Sequence, residues 1–293
     1  MWQIGIALFA LAVFGPSLIR EIAWQVNYFL AKQRPPLPPR SVRPFADNIA
    51  SISFAGNGGD SRQAQRATGV YPNSAAVIRN PIAVQPEPSD IITEGPYRHY
   101  KTSDINIAQG YDVTCAKGKL LSALATDKGK RFVVHGTSRG AAVALQIVAG
   151  LPSNIVRDRI ALLFCEAPFT TVEDVIDVRY GHNTWLSACV RFTLRWFTSY
   201  DARDNDVWSP LAAARTFPHV DLPIVVVSSL ADRVVPSELQ GALVAALRGS
   251  GAKNVHEIQL KSSPHPAFTW DNDSDRRTYV DSLDAIYKLY EIN

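Results

Sequence analysis

The sequence contains few cysteines and little excess charge of either sign. Its 293 residues include 3 cysteines (Cys115, Cys165 and Cys189), which lie far apart and show no C-x-x-C spacing. This pattern argues against a disulfide framework and against a structural zinc site. The 30 Lys and Arg nearly balance the 27 Asp and Glu, and the basic residues form no long run. Nucleic acid is therefore not an expected partner.

Long apolar runs are also scarce, and glycine and proline are not enriched. The 17 Gly and 19 Pro are ordinary counts for this length, which excludes collagen-like and low-complexity chains. A hydrophobic share of 46% is too high for a disordered chain. One run, from Trp2 to Ile19, carries no charge and is close to the minimum length that spans a bilayer. A protein with several membrane spans is therefore excluded.

This apolar run predicts a single N-terminal membrane anchor. No Lys or Arg precedes it and no clean A-x-A site follows it, which favours an anchor over a cleaved signal peptide, the main alternative. A merely buried helix is a third interpretation. Basic residues after the run, such as Arg20 and Lys32, favour a cytosolic main domain. We expect an anchor with an amphipathic segment over 1–33, a Pro-rich linker over 34–44 and a folded main domain over 45–293.

The domain itself shows the alternation that is typical of a mostly parallel sheet covered by helices. Short apolar runs predict strands, and longer periodic segments predict helices. Strands are expected at 50–54, 131–136, 160–165, 224–230 and 255–260, and helices at 112–125, 141–149 and 275–290. Residues 75–84 fit either a strand or a helix-to-strand segment, and 91–94 fit a further strand. Aromatic-rich helical sequence at about 168–217 interrupts the series and predicts a helical lid.

The segment Gly136-Thr137-Ser138-Arg139-Gly140 carries the central chemical signal. It fits G-x-S-x-G, directly follows a β-branched strand and directly opens a helix. A sharp turn in that context presents the serine hydroxyl, and only glycine fits the crowded positions on either side of it. We therefore predict Ser138 as a nucleophile, with Gly136 and Gly140 as the glycines of its turn. A helix-capping serine between two glycines is the structural alternative.

A nucleophilic serine needs a base, and the base needs an acid that orients it. In this architecture the acid and then the histidine follow the serine, each at the end of a late strand. Asp232 follows the strand IVVVSSL, and His265 follows the strand VHEIQL. Both therefore reach the carboxyl edge of the sheet, where ligands bind in open α/β folds. The alternatives are a turn aspartate that pairs with Arg233 and an exposed loop histidine.

Two backbone N–H groups are predicted to stabilise the oxyanion. Arg139, directly after the nucleophile, supplies the first. The second should come from a glycine-rich loop after an early strand, and the FAGNGG segment places it at Asn57. A plain glycine-rich turn is the alternative for that loop. The Arg139 side chain could favour an anionic substrate or pair with a carboxylate.

Over most of 50–290 the sequence resembles the α/β-hydrolase family. The matching segments are the FAGNGG loop, the HGTSRGAA turn and the run SPLAAARTFPHVDLPIVVVSSLADRVVP, which is similar to the acid-loop region of prolyl-oligopeptidase-like members. The resemblance implies a Ser-His-Asp mechanism without a metal or an organic cofactor. Ala55 stands where many members have a histidine before the oxyanion glycine.

The predicted function is that of a membrane-anchored serine hydrolase (an esterase or lipase-like enzyme) acting on acyl or lipid-like esters or thioesters. Aromatic residues in the insert, such as Phe192 and Trp196, share a helix face and could line an apolar acyl pocket, or could simply pack the insert onto the domain. One alternative is a serine peptidase, although no gating domain is evident. The other is a catalytically silent hydrolase fold that serves as a binding module.

Overall fold

The computed structural model describes residues 46–54, 56, 81–84, 107–197, 200–265 and 273–292, with only the backbone at 81–84, 111, 196 and 197. The predicted anchor, the Pro-rich linker, Asn57 and the possible strand at 91–94 lie outside the described residues. Among the described helices, none is long and apolar enough to cross a bilayer by itself, although Arg139–Ala149 and Ser153–Arg159, bent by 115° at their junction, pass that test together.

A six-stranded sheet forms the centre of the domain, and every neighbouring pair of strands is parallel. Its order is β2-β1-β3-β4-β5-β6. The strands are β1 (Ile49–Phe54), β2 (Pro81–Val84), β3 (Arg131–Thr137), β4 (Ile160–Glu166), β5 (Ile224–Ser229) and β6 (Val255–Leu260). The strands predicted at 50–54, 131–136, 160–165, 224–230 and 255–260 are confirmed, and β2 lies in the segment 75–84, for which two interpretations were open.

Helices connect the strands and cover both faces of the sheet. They are α1 (Gly110–Thr126), α2 (Arg139–Ala149), α3 (Ser153–Arg159), α4 (Val172–Tyr180), α5 (Thr184–Phe197), α6 (Pro210–Arg215), α7 (Ser237–Gly249) and α8 (Asp273–Leu289), with a short 3₁₀ helix at Ala202–Asp206. The short helix α3 and the longer helix α7 were not predicted. Helices α4 to α6 belong to the segment between β4 and β5, called the insert below (residues 168–217).

Burial explains why these runs form central strands. Every residue of β1, β4 and β5 is buried, which is expected of parallel strands covered on both faces. Side chains from α1, α2 and α7 form one apolar cluster with the sheet, and side chains from α8 form a second cluster that includes Phe164 and Val225. Each large apolar side chain buried in this way contributes about 1.5–3 kcal/mol. The parallel arrangement brings the carboxyl ends of the strands to one edge of the sheet.

Candidate active site

Ser138 occupies a strained turn between β3 and α2. Its backbone has φ 55° and ψ −118°, which a residue with a side chain rarely adopts. The Ser138 N–H donates to the carbonyl of Glu166 at the end of β4, with an N···O distance of 2.7 Å. Strain of this kind persists only where the surrounding structure enforces it, and it concentrates at functional sites.

The glycine requirement at Gly136 is visible in the geometry. A Cβ added at Gly136 would lie 2.3 Å from the carbonyl oxygen of Gly140 and 2.6 Å from the Cα of Ala141. The backbone on the two sides of Ser138 therefore approaches too closely for any side chain at Gly136. The serine hydroxyl stays partly exposed at the carboxyl edge of the sheet.

His265 and Asp232 lie beside Ser138 at the same edge. The Nε2 atom of His265 is 3.0 Å from the Ser138 Oγ, and its Nδ1 atom is 2.7 Å from the Asp232 Oδ2. A carboxylate only accepts hydrogen bonds, so Nδ1 donates to Asp232 and Nε2 is left to accept from the serine hydroxyl. The structure thus brings the three residues into one hydrogen-bonded line in which a proton can pass from Ser138 to His265.

The backbone of its own loop holds the Asp232 carboxylate. Its Oδ1 accepts hydrogen bonds from the N–H groups of Val234, at 2.8 Å, and Val235, at 2.9 Å. Its side chain is fully buried. With Oδ1 held by two donors, Oδ2 remains directed at His265, and the alternative of a surface aspartate paired with Arg233 is not what the structure shows.

The loop that carries His265 is held from two sides. The Ser229 hydroxyl at the end of β5 donates to the carbonyl of Ser263 at 2.7 Å. The buried Asp275 carboxylate at the start of α8 accepts from the N–H groups of Lys261 and Ser262 and from the Ser263 hydroxyl at 2.7 Å. Burial opposes ionisation of Asp275, but these hydrogen bonds outweigh it and lower its pKa below the ordinary value. The role of Asp275 was not predicted, because nothing local in the sequence pairs it with a loop 12 residues away.

The Arg139 side chain points into the protein and away from solvent. The residue is 1% exposed, and its Nε and Nη2 atoms donate to the Asp112 Oδ2 at 2.9 and 2.5 Å. Of the two expectations for this cation, the structure therefore supports pairing with a carboxylate. Arg139 is also the first residue of α2, and N–H groups in the first turn of a helix point out of its N-terminal end. The predicted second donor, Asn57, lies outside the described residues.

The insert presents several aromatic side chains to solvent. Trp185 is 73% exposed and Phe192 is 57% exposed. Tyr200, in contrast, is buried, with its hydroxyl 3.3 Å from the Glu173 Oε1. The side chain of Trp196 lies outside the described residues. Both interpretations of the aromatic stripe stay predictions.

A second serine, histidine and carboxylate meet beneath the active-site edge. The Nδ1 atom of His135 lies 3.1 Å from the Ser53 Oγ, and its Nε2 lies 3.1 Å from the Glu166 Oε2. Hydroxyls of Thr137 and Tyr279 also donate to Glu166. Burial opposes ionisation of Glu166, but hydrogen bonds from His135, Tyr279 and Thr137 lower its pKa below the ordinary value. All five residues are buried, so this cluster (the buried cluster below) is closed to substrate.

Comparison with solved structures identifies the fold of the chain. No protein-family model and no curated protein matches the sequence. An arylesterase structure aligns with a TM-score of 0.58 and 18% identity over 97% of each chain. An esterase of Pyrococcus furiosus aligns with a TM-score of 0.54 and 13% identity, over 83% of this chain and 82% of that one. The chain has the α/β-hydrolase fold.

A longer protein shares this hydrolase fold. The acylaminoacyl peptidase of Pyrococcus horikoshii aligns with a TM-score of 0.55 and 12% identity over 88% of this chain, which spans only 38% of the peptidase. In the part of this chain that the structure describes, no group of three or more His, Cys, Asp or Glu side chains could hold a metal ion.

Proposed function

We propose that this protein is a serine hydrolase that cleaves carboxylic esters through an acyl-enzyme. The observation that carries the proposal is the hydrogen-bonded line of Ser138, His265 and Asp232, in which the serine sits on a strained turn between a strand and a helix. The strained backbone of Ser138, its partial exposure and the buried carboxylate of Asp232 occur together here. That combination is what nucleophilic catalysis by a hydroxyl requires.

The proposed mechanism starts from the hydrogen-bonded line of Ser138, His265 and Asp232. The His265 Nε2 takes the proton from the Ser138 Oγ as this oxygen attacks the acyl carbonyl, and Asp232 stabilises the resulting imidazolium. The carbonyl oxygen becomes an oxyanion that accepts hydrogen bonds from the N–H groups of Arg139 and Asn57. Collapse breaks the bond to the leaving alkoxide, which receives the proton from His265. Water then attacks the acyl-enzyme, with His265 as base, and releases the acid and Ser138.

The choice of an ester rests on the structural neighbours of matching length. The arylesterase aligns over 97% of both chains and the Pyrococcus furiosus esterase over 83% of this chain and 82% of its own, whereas this chain spans 38% of the peptidase. A peptide substrate is the second candidate, because the peptidase superposes as well as the esterases do. A catalytically silent fold is the third, and labelling tests it directly.

Labelling with a fluorophosphonate probe tests the proposal. We expect the wild type to label, Ser138→Ala to lose labelling and His265→Ala to label far more slowly. p-Nitrophenyl esters of increasing chain length, a matched thioester and an N-acylated aminoacyl p-nitroanilide then compare the bond types. Faster turnover of the anilide would favour the peptidase, and a folded wild type that never labels would refute the enzyme proposal.

We further propose that the apolar segment from Trp2 to Ile19 tethers the hydrolase to a membrane, with the catalytic domain on the cytosolic side, so that lipid-like acyl esters are its substrates. Alkaline carbonate extraction of the full chain and of a variant lacking residues 1–33 tests the tether. We expect the full chain to stay in the membrane pellet and the shortened chain to be released. Protease protection in sealed vesicles then reports the side, and digestion of the domain only after lysis would overturn the cytosolic assignment.

A further inference from the structure

A strained turn leads into α1. Ile107 has φ 46° and Ala108 has φ 64°, although neither is glycine. Ile107 is β-branched, and a positive φ is especially unfavourable for such a side chain. Two adjacent residues of this kind persist only where the surrounding contacts enforce the conformation.

One buried carboxylate oxygen enforces it and also binds the residue after the nucleophile. The Asp112 Oδ2 accepts from the N–H of Ala108 at 2.6 Å and from both Nε and Nη2 of Arg139. The Asp112 side chain is fully buried and that of Arg139 is 2% exposed. At such low exposure, charged hydrogen bonds are strong and costly to rearrange, so this oxygen ties the strained turn rigidly to the start of α2.

Further hydrogen bonds attach the same turn to α2 and to the insert. The Gln146 amide on α2 donates to the carbonyl of Ala108 at 2.7 Å. The Gln109 side chain donates to the carbonyl of Asp201 at 2.7 Å and accepts from the N–H of Asp201 at 3.0 Å. The turn is therefore attached both to α2, which begins directly after Ser138, and to Asp201 in the insert.

We propose that Asp112 is a positioning residue for catalysis: by holding the Arg139 side chain it orients the main-chain N–H of Arg139 toward the oxyanion. This inference rests on the proposed function. Two hydrogen bonds to one carboxylate oxygen fix the guanidinium of Arg139. A side chain fixed at its far end restricts how the Arg139 backbone can rotate. Ser138 beside it is strained, so the turn gains from such an external support.

Three variants test the proposal: Asp112→Asn, Arg139→Lys and the paired Asp112→Asn/Arg139→Gln. Arg139→Lys keeps the charge opposite Asp112 but loses the forked guanidinium. The paired variant leaves neither charge buried alone and provides the test where a single variant fails to fold. We measure kcat and KM with a p-nitrophenyl ester, divide the rate by the number of serines that titrate with fluorophosphonate, and measure inhibition by an arylboronic acid.

We expect these variants to lose stabilisation of the transition state and to keep their affinity for the substrate. Removing one oxyanion donor typically lowers kcat about 100-fold or more, so we expect a fall of about 10- to 100-fold per titrated serine when the donor is only misaligned. We expect KM to change by less than about 3-fold and boronate affinity to fall in parallel with kcat. The midpoint of the pH–rate profile should not move, because the bonds of His265 to Ser138 and Asp232 are retained.

Arg159 provides the matched control. It donates to the carbonyls of Lys130, Leu124 and Asp127, so it also binds backbone oxygens of other elements. It is the last residue of α3, directly before β4, and so lies at the edge of the sheet opposite Ser138. Arg159→Lys should lower stability and leave the rate per titrated serine unchanged.

The outcomes separate the two proposals. If the wild type labels and turns over ester, but the Asp112 and Arg139 variants keep the wild-type rate per titrated serine, the buried pair is structural only and the positioning role is overturned. If the wild type itself does not label, it is the proposed function that fails.

Discussion

The molecule contains two lines of serine, histidine and carboxylate, and they differ in almost everything except composition. Ser138, His265 and Asp232 meet at the carboxyl edge of the sheet, where the serine is partly exposed. Ser53 and His135 of the buried cluster are each 1% exposed. In the first line the carboxylate binds the Nδ1 of the histidine, and in the second it binds the Nε2. The two lines therefore differ in exposure and in the histidine nitrogen that binds the carboxylate.

The backbone conformation also differs between the two serines. Ser138 has a positive φ and stands before a helix whose first N–H groups can receive negative charge. Ser53 lies within strand β1, with its hydroxyl directed into the protein. The buried cluster also surrounds Glu166 with three donors, which satisfies the carboxylate and ties β3 and β4 to α8. Under the proposed function, the first line reacts with substrate and the second stabilises the fold.

The largest expected effect comes from removing the hydroxyl of Ser138 and not that of Ser53. Ser138→Ala should lower kcat by about 10⁴-fold or more, as for nucleophiles that act as part of a triad. Ser53→Ala removes only one buried hydrogen bond and should keep kcat within about 3-fold. Ester turnover by both purified variants checks this. Equal losses in the two variants would contradict the division between a reactive and a structural line.

Replacing His265 should lower activity and keep stability, whereas replacing His135 should lower stability and keep activity. His265→Ala should lower kcat about 10⁴-fold with little change in unfolding free energy, because the base is lost at a loop. His135→Ala leaves Glu166 with one donor fewer and should cost about 1.5–3 kcal/mol of stability while the rate per titrated serine is retained. Urea unfolding and active-site titration separate the two outcomes, and a catalytic defect in folded His135→Ala would show that the cluster takes part in the reaction.

The third expected effect concerns the strained turn. Gly136→Ala would place a methyl group 2.3 Å from the Gly140 carbonyl oxygen, so the turn must shift. We expect a loss of about 2–4 kcal/mol of stability, typical of severe backbone clashes, together with slower fluorophosphonate labelling. Gly241→Ala is the control, since its added methyl meets no atom within 4 Å. Normal labelling of folded Gly136→Ala would mean that the turn adapts without harm to Ser138.

The smallest effect is on acid stability. Because the folded-state pKa of Glu166 lies below its ordinary value, its ionised form stabilises the fold above about pH 4.3, and this contribution is lost as the pH falls through the folded-state pKa. Glu166→Gln should therefore be less stable at neutral pH, with unfolding free energy that falls less steeply below about pH 4.3. Urea titrations between pH 3 and 7 check the slope, and an unchanged slope would assign acid sensitivity to other carboxyls.

Local sequence patterns predicted the strands and the three residues of the active-site line. Asp232 and His265 follow apolar runs that form adjacent strands, so strand order alone brings them to one edge. Asp112 and Asp275 were not predicted, because each acts on atoms of another element that no local pattern reveals. The exposed side of α5 was missed for a related reason: helical periodicity shows that Trp185 and Phe192 lie on one side of the helix but not which side faces the domain.

The two ends of the described domain lie together at the amino edge of the sheet. The N–H of Ala46 donates to the carbonyl of Ile292 at 2.9 Å, and these residues flank β1 and the end of α8, opposite the edge that holds Ser138. A short linker could therefore join the ends in a circular permutant, with new termini cut elsewhere. A carrier or solid support attached at this edge would leave the serine facing solution, so the domain is suited to oriented immobilisation.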